Sequence, residues 1–245
     1  IAEEFQKFLM NGALFQGSKP VMWSPVEKTA LAEAEIEYHD HKSDTIWVPF
    51  KVITGSKELE NAKIVIWTTT PWTIPSNKAI AFSKNISYGV YSVKETLEES
   101  WTKPNDLYVI ADNLAEETLT KARVTKFKKV HNVNNDILEH AICSHPFRGL
   151  QGADGFWDYD VPIIEGDHVT EEAGTGFVHT APSHGADDYE CFVKRGWIDQ
   201  LTHNIGEASE FLAHVPFFAD LKVFNHKGKE ADANKAVITK LVEAD

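Results

Sequence analysis

The sequence predicts an α+β fold in which a predominantly antiparallel β-barrel is decorated with short helices. Short segments rich in β-branched and aromatic residues follow one another closely, separated by turn residues such as Gly55, Asn77 and Asn85. This spacing is typical of barrels and sandwiches. The strands do not alternate with helices in a βαβ pattern, so nothing in the sequence indicates a parallel sheet.

Each element follows from its local pattern. In chain order, the predicted elements are a helix at 1–11, strands at 47–53, 63–68, 79–82, 88–93 and 106–111, a helix at 113–122, a strand at 123–130, strands at 161–166 and 176–181, a helix within 182–196 and a closing helix at 233–244. The strands are apolar and β-branched. In the helix within 182–196, Tyr189, Phe192 and Val193 have the i, i+3, i+4 spacing of one apolar face. Its first turn is acidic, its last turn is basic, and a glycine follows.

The composition describes a globular chain with an acidic surface. Among 245 residues, 24 are basic and 37 are acidic, which gives a formal net charge of −13. Proteins that hold nucleic acid through many phosphates are usually basic, so any contact with nucleic acid should be weak or confined to a tip. Cys143 and Cys191 have no motif spacing, which favours a reducing compartment over a disulfide framework. No apolar run reaches about 18 residues, so no membrane partner is expected.

The segment WTTTPWTIPSN, residues 67–77, places three consecutive threonines at the end of a predicted strand. Pro71 and Pro75 cannot continue a central ladder, so the threonines lie where the strand ends and the chain turns. Hydroxyls on a rigid strand end are suited to holding a small polar ligand. Threonine is also a good strand residue, and the residues alone leave both interpretations open.

The segment GTGFVHTAPSHGADDYECF, residues 174–192, concentrates His179, His184, Asp187 and Asp188 around a proline turn that leads into a helix. Carboxylates at a helix start are more often capping charges than ligands. A metal-dependent hydrolase built on His179, His184 and Asp187 is one alternative, and a module that binds a ligand without turnover is another. Histidines five positions apart match no standard metal template, so no metal is expected.

Covalent hydrolase chemistry has little support in the sequence. There is no GxSxG motif, and Cys191 falls on a helix with apolar neighbours, where packing is the expected role. Gly174 and Gly176 lack the pattern of a phosphate-binding loop and its lysine. A tight turn before a strand is expected there.

Taken together, WTTTPWTIPSN and the later GTGFVHTAPSHGADDY resemble the editing domains of class I aminoacyl-tRNA synthetases, and specifically the isoleucyl group. Valyl and leucyl members tend to carry an arginine after the second threonine, where this chain has Thr70. The segments KPVMWSPVEKTALAEAEIEYHD (19–40) and GDHVTEEAGTG (166–176) extend the resemblance over nearly the whole chain. A departure occurs at Ser24 and Glu27, where many members carry a Cys-x-x-Cys pair, so no metal knuckle is expected there.

The resemblance implies hydrolytic proofreading of isoleucine tRNA mischarged with valine, and also of valyl-adenylate, in a pocket that admits valine and excludes isoleucine. The residues it implies in catalysis are Thr68, Thr69, Asn77 and Asp188. The residues it implies in substrate binding are Trp67, Thr70, Trp72, His179 and Asp188, with His184 and Asp187 as supports. In these roles Asp188 would bind the ammonium group of the amino acid and His179 would collide with the extra methyl of isoleucine.

The resemblance also implies what lies outside the chain. The signatures His-Ile-Gly-His and Lys-Met-Ser-Lys-Ser are absent, so ATP and Mg are expected only in a catalytic core elsewhere, and no cofactor is expected for editing. The chain begins without methionine and in mid-pattern, and we expect a monomeric fragment of a longer polypeptide. Residues 1–45 are expected to lead from that core, 46–205 to form the editing barrel with both motifs, and 206–245 to return with the closing helix. The expected partners are the rest of the synthetase and the 3′ end of isoleucine tRNA carrying valine, in the cytoplasm or alternatively in an organelle.

Overall fold

The computed structural model describes residues 1–14, 17 and 20–244. Residues 15–16 and 18–19, within the predicted leading segment, and residue 245, within the predicted return segment, lie outside the described residues. The α-helices of the described chain are α1 (Ala2–Met10), α2 (Ala115–Lys121), α3 (Asn135–Glu139), α4 (Ala186–Arg195) and α5 (Ala233–Ala244). The strands are β1 (Trp23–Ser24), β2 (Thr29–Ala30), β3 (Ile46–Thr54), β4 (Ala62–Thr68), β5 (Ala79–Phe82), β6 (Tyr88–Thr96), β7 (Leu107–Ala111), β8 (Val124–Val133), β9 (Ile142–Ser144), β10 (Asp160–Glu165) and β11 (Val178–Thr180).

The main sheet has nine strands in the order β11-β5-β10-β9-β3-β4-β7-β6-β8, and β1 and β2 form a separate hairpin. The α+β class is confirmed, but the predicted barrel is wrong, because the described strands form an open sheet whose end strands, β11 and β8, do not pair with each other. Closure requires hydrogen bonds between the first and last strands. A pattern of short strands carries no information about which strands occupy the two ends.

Two strand pairs are parallel, β10 with β5 and β4 with β7, whereas the other pairs are antiparallel. The sheet is therefore predominantly antiparallel, as predicted, with two parallel pairs that the sequence did not indicate. A parallel pair needs a long crossover connection, which is usually a helix. Here β5 and β6 lie between β4 and β7 in the sequence, so the crossover gives no βαβ signal.

Strand β4 is buried on both faces and leads directly to the threonine segment. Ile64, Val65 and Ile66 are all fully buried, as expected for a central strand covered on both sides. It pairs with β3 on one side and β7 on the other. The end of β4 is therefore a rigid platform for the residues that follow.

Helix α4 and the two cysteines refine the sequence interpretation. Cys191 and Phe192 are buried, whereas Val193 is exposed, so the predicted apolar face is displaced by one position toward Cys191. Cys143 is also buried and both cysteines are free thiols, which confirms packing as the role of Cys191.

Within the described residues, no helix combines the length and apolarity that crossing a bilayer requires.

Candidate functional site

The threonine segment forms a tight turn at the end of β4. The Thr68 hydroxyl oxygen accepts a hydrogen bond of 3.0 Å from the Thr70 amide, a local turn that threonine commonly makes. Thr70 then leads into a 3₁₀ helix at Pro71–Ser76, while Thr69 is exposed to solvent. The three threonines therefore differ: Thr68 closes the turn, Thr69 faces solvent and Thr70 begins the next element.

His179, on β11, is joined to the threonine segment by a continuous hydrogen-bond network. Its Nδ1 lies 2.7 Å from Asn77 Nδ2, and its Nε2 lies 3.0 Å from Thr73 Oγ1. Asn77 Nδ2 also donates to the carbonyl oxygen of Ala79, so the Asn77 amide is oriented with Nδ2 toward His179. Nδ1 therefore accepts and Nε2 carries the proton. The Thr73 hydroxyl in turn donates a hydrogen bond of 2.8 Å to the carbonyl oxygen of Thr70.

Burial keeps the imidazoles of His179 and His184 neutral. His179 is 8% exposed, and burial lowers the pKa of its imidazole to about 3, with His184 as a smaller cause. Burial also lowers the pKa of His184 to about 4. The ring of His184 contacts Ser76 Oγ at 3.2 Å and packs edge-on against Trp72 at 4.9 Å between centroids. At neutral pH the imidazoles of His179 and His184 are therefore uncharged.

Asp188 is a largely buried carboxyl group at the start of α4. It lies in the first turn of α4, and its Oδ2 accepts the Ala181 amide at 2.8 Å. Its side chain is 15% exposed, with Oδ1 3.9 Å from His168 Nε2. Burial raises the pKa of the Asp188 carboxyl, while the Ala181 hydrogen bond and His168 oppose that rise. Asp187, its neighbour, is exposed to solvent.

The structure brings together several of the residues singled out in the sequence and adds others. Ala181 lies two positions after His179, so β11 connects the His179 network to Asp188. Trp67, at the end of β4, lines a cavity of about 220 Å³ together with His168. The sequence interpretation missed Thr73 and Ser76, which lie within residues 67–77, and His168, which lies within residues 166–176. The catalytic and binding roles implied for the predicted residues stay predictions.

The sequence left open a metal-dependent hydrolase as one alternative, and the described residues offer no group of ligands for its metal ion. Within the described parts of the chain, no three His, Cys, Asp or Glu side chains are grouped so that they could hold a metal ion. His179 has both ring nitrogens engaged, by Asn77 and Thr73, and Asp187 points to solvent.

The glycines before β11 make the tight turn that the sequence predicts. Gly176 has a φ of +79°, and a Cβ atom on it would lie 2.4 Å from Ala111 Cβ. Its carbonyl accepts the Tyr88 hydroxyl at 2.7 Å. The segment that positions His179 is thus held against β6 and β7, which requires a glycine at 176.

We expect Gly176→Ala to lower the free energy of unfolding by about 2–5 kcal/mol, because a left-handed backbone costs about 1–2 kcal/mol and overpacking adds about 1–3 kcal/mol. The matched control is Gly149→Ala, since Gly149 has a φ of +75° but nothing within 4 Å of its Cβ position. The control should lose only the backbone contribution. Urea unfolding of both variants measures the difference, and equal losses would contradict the steric part of the explanation.

Comparison with known proteins identifies the class. The family model of class I tRNA synthetases (I, L, M and V) matches residues 1–146, so the chain belongs to the class I tRNA synthetase family. Its curated relatives include an isoleucine–tRNA ligase of Rhodopseudomonas palustris, 47% identical over 249 residues that cover 99% of this chain and 24% of the relative. The isoleucine–tRNA ligase of Caulobacter vibrioides is 50% identical in an alignment 252 residues long, which covers 100% of this chain and 25% of the relative. The chain therefore spans about a quarter of the length of these relatives.

A solved structure described as the cytosolic leucyl-tRNA synthetase editing domain of P. knowlesi is also similar, with 11% identity and a TM-score of 0.46. The match covers 62% of this chain and 63% of that chain.

Proposed function

We propose that this chain is the editing domain of an isoleucyl-tRNA synthetase and hydrolyses the ester that links misplaced valine to isoleucine tRNA, and also valyl-adenylate. The observation that carries the proposal is Asp188, a largely buried carboxylate with one oxygen held by the Ala181 amide and the other 3.9 Å from the nearest imidazole nitrogen. A sheltered carboxylate is a strong partner for a free α-ammonium group. An aminoacyl ester carries such a group, whereas an ordinary ester does not.

The second requirement of the proposal is selection by size, which we assign to the neutral imidazole of His179. One methylene in an apolar pocket contributes only about 1–3 kcal/mol, a magnitude for which isoleucyl-tRNA synthetases are the standard example and which does not come from this structure. A second site that excludes the larger amino acid removes the remaining errors. His179 is suited to this because two hydrogen bonds fix its ring. A fixed wall excludes a methyl group more effectively than a mobile one.

Hydrolysis of an activated ester needs an oriented water molecule and stabilisation of developing charge. The residues proposed to position the ester, the terminal ribose and the water are Thr68, Thr69 and Asn77. The Thr68 oxygen accepts the Thr70 amide and its proton remains able to donate. Asn77 contributes an Oδ1 that is buried and has no hydrogen-bond partner among the described residues. Trp67 and Trp72, both half-buried, are proposed to stack against the 3′-terminal base.

The proposed partners follow from the same chemistry. The net charge of −13 fits contact with the single-stranded 3′ end of the tRNA rather than with its body, which the rest of the synthetase polypeptide would hold. The proposal includes no cofactor for the editing step, and it places ATP and Mg in the synthetic core. The proposed location is the cytoplasm.

The decisive experiment compares the binding of two non-hydrolysable 3′-adenosine amides, one carrying valine and one carrying isoleucine, by calorimetry. We expect the valyl compound to bind at least about 10-fold more tightly, the minimum effect of one excluded methylene. The hydrolysis of valyl-tRNA and isoleucyl-tRNA is then followed at high protein concentration. Equal binding of both amides would contradict the size-exclusion pocket, and selective binding without hydrolysis would favour a ligand-binding module.

A further inference from the structure

His168 is a half-buried histidine whose Nε2 atom has no hydrogen-bond partner among the described residues. That nitrogen is itself buried. His179 and His145 each engage both nitrogens. An unpaired buried polar atom is costly, so a buried nitrogen that faces a carboxylate indicates an interaction that another state of the protein completes.

The atom that His168 faces is the second oxygen of Asp188. The separation between Nε2 and Oδ1 is 3.9 Å, and the two side chains are 18% and 15% exposed. A hydrogen bond between them requires about 2.7–2.9 Å, so a side-chain movement of about 1 Å would form it. Hydrogen bonds in active sites are often long without substrate and tighten in the complex.

The surroundings hold the ring in place for this contact. The ring lies over Gly166, where a Cβ atom would be 2.8 Å from His168 Cε1. His168 also lines the cavity of about 220 Å³ that includes Trp67, and Trp67 directly precedes the threonine turn. His168 therefore lies between the cavity and the carboxylate.

We propose that His168 is a positioning residue that acts through Asp188: when substrate binds, Nε2–H donates to Oδ1, so that the carboxylate is held ionised and oriented toward the α-ammonium group. This inference rests on the proposed function, because it concerns the same site. A donor on the second oxygen favours the charged form of a buried carboxylate, and only the charged form pairs fully with ammonium. Oδ2 is already fixed by the Ala181 amide, so the two donors would hold both oxygens.

The test uses two ligands that differ only in the α-amino group: the valyl amide of adenosine and its 3-methylbutanoyl counterpart, which lacks that group. We expect His168→Leu to weaken binding of the valyl amide about 10-fold, the effect of one charge-assisted hydrogen bond, and to leave binding of the 3-methylbutanoyl amide unchanged. His168→Gln, which retains an N–H donor near the Nε2 position, should restore most of the lost affinity. In an Asp188→Asn background, His168→Leu should have no further effect on valyl binding.

Gly166→Ala provides a second variant in case His168→Leu fails to fold, because it displaces the ring without removing the imidazole. It should also weaken the valyl amide selectively. Equal weakening of both ligands, or no rescue by His168→Gln, would overturn the inference and indicate a merely structural role. If the wild-type protein binds the valyl amide selectively and His168→Leu binds it equally well, only the inference fails. If the wild-type protein binds neither ligand, the proposed function fails and the inference fails with it.

Discussion

Replacing Asp188 with asparagine is expected to lower kcat/KM for hydrolysis of valyl-tRNA by roughly 10- to 150-fold, because a hydrogen bond to a charged group contributes about 1.5–3 kcal/mol. Asparagine keeps an oxygen that can accept the Ala181 amide, which Asp188 accepts at 2.8 Å. The local fold should therefore persist while the charge that pairs with the substrate ammonium is lost. Because burial already disfavours a negative charge at this position, the variant should unfold at nearly the same denaturant concentration.

The matched control is Asp187→Asn. Asp187 occupies the same first turn of α4 and has the same charge, but it is exposed to solvent. Its replacement removes an equal charge from the helix N-terminus, where the effect on stability is typically about 0.3–1 kcal/mol, and should leave kcat/KM within about 2-fold, as expected for a charge that meets no substrate. Single-turnover deacylation of both variants measures the contrast. Equal losses in the two variants would show that Asp188 acts through the helix field and not by contact with the substrate.

Local signals explain which parts of the fold could be predicted. The strands predicted at 63–68 and 79–82 correspond to β4 at Ala62–Thr68 and β5 at Ala79–Phe82. Both are apolar runs bounded by turn residues, so their ends are encoded within a few positions. The prediction of a closed barrel failed because closure depends on pairing between the first and last strands of the sheet, which is non-local information. The parallel pairing of β4 with β7 depends on a crossover through two other strands, and no local pattern records it.

For the candidate site too, the sequence marks the residues of a local motif but not those whose role depends on packing. The resemblance assigns roles to His179 and Asp188 because both stand in one continuous motif, and these roles stay predictions. It did not identify Thr73 as the partner of His179, since these residues are 106 positions apart and the threonine looks like any other strand or turn residue. His168 was missed for a different reason: its importance lies in a buried nitrogen without a partner, which is a property of packing that a sequence does not display.

The largest expected change in specificity follows from replacing His179 with alanine. If the imidazole is the wall that excludes isoleucine, its removal opens space for at least one methylene. We expect hydrolysis of isoleucyl-tRNA to rise until discrimination against isoleucine falls by roughly 10- to 200-fold, the range that one methylene can provide in an apolar pocket. The variant should also lose about 2–5 kcal/mol of unfolding free energy, as large-to-small core substitutions do, because the partners Thr73 and Asn77 lose their contact as well.

A loss of stability could itself loosen the pocket, and Thr73→Val separates the two effects. Valine has nearly the shape of threonine but removes the hydroxyl that lies 3.0 Å from His179 Nε2, leaving a buried N–H unpaired at a cost of about 1–3 kcal/mol. The imidazole stays in place, so Thr73→Val should be destabilised yet still reject isoleucine. Parallel measurements of urea unfolding and of valyl-tRNA and isoleucyl-tRNA hydrolysis test this pair. If Thr73→Val loses discrimination as fully as His179→Ala does, selectivity depends on the rigidity of the wall; if His179→Ala still rejects isoleucine, the wall is formed by other residues.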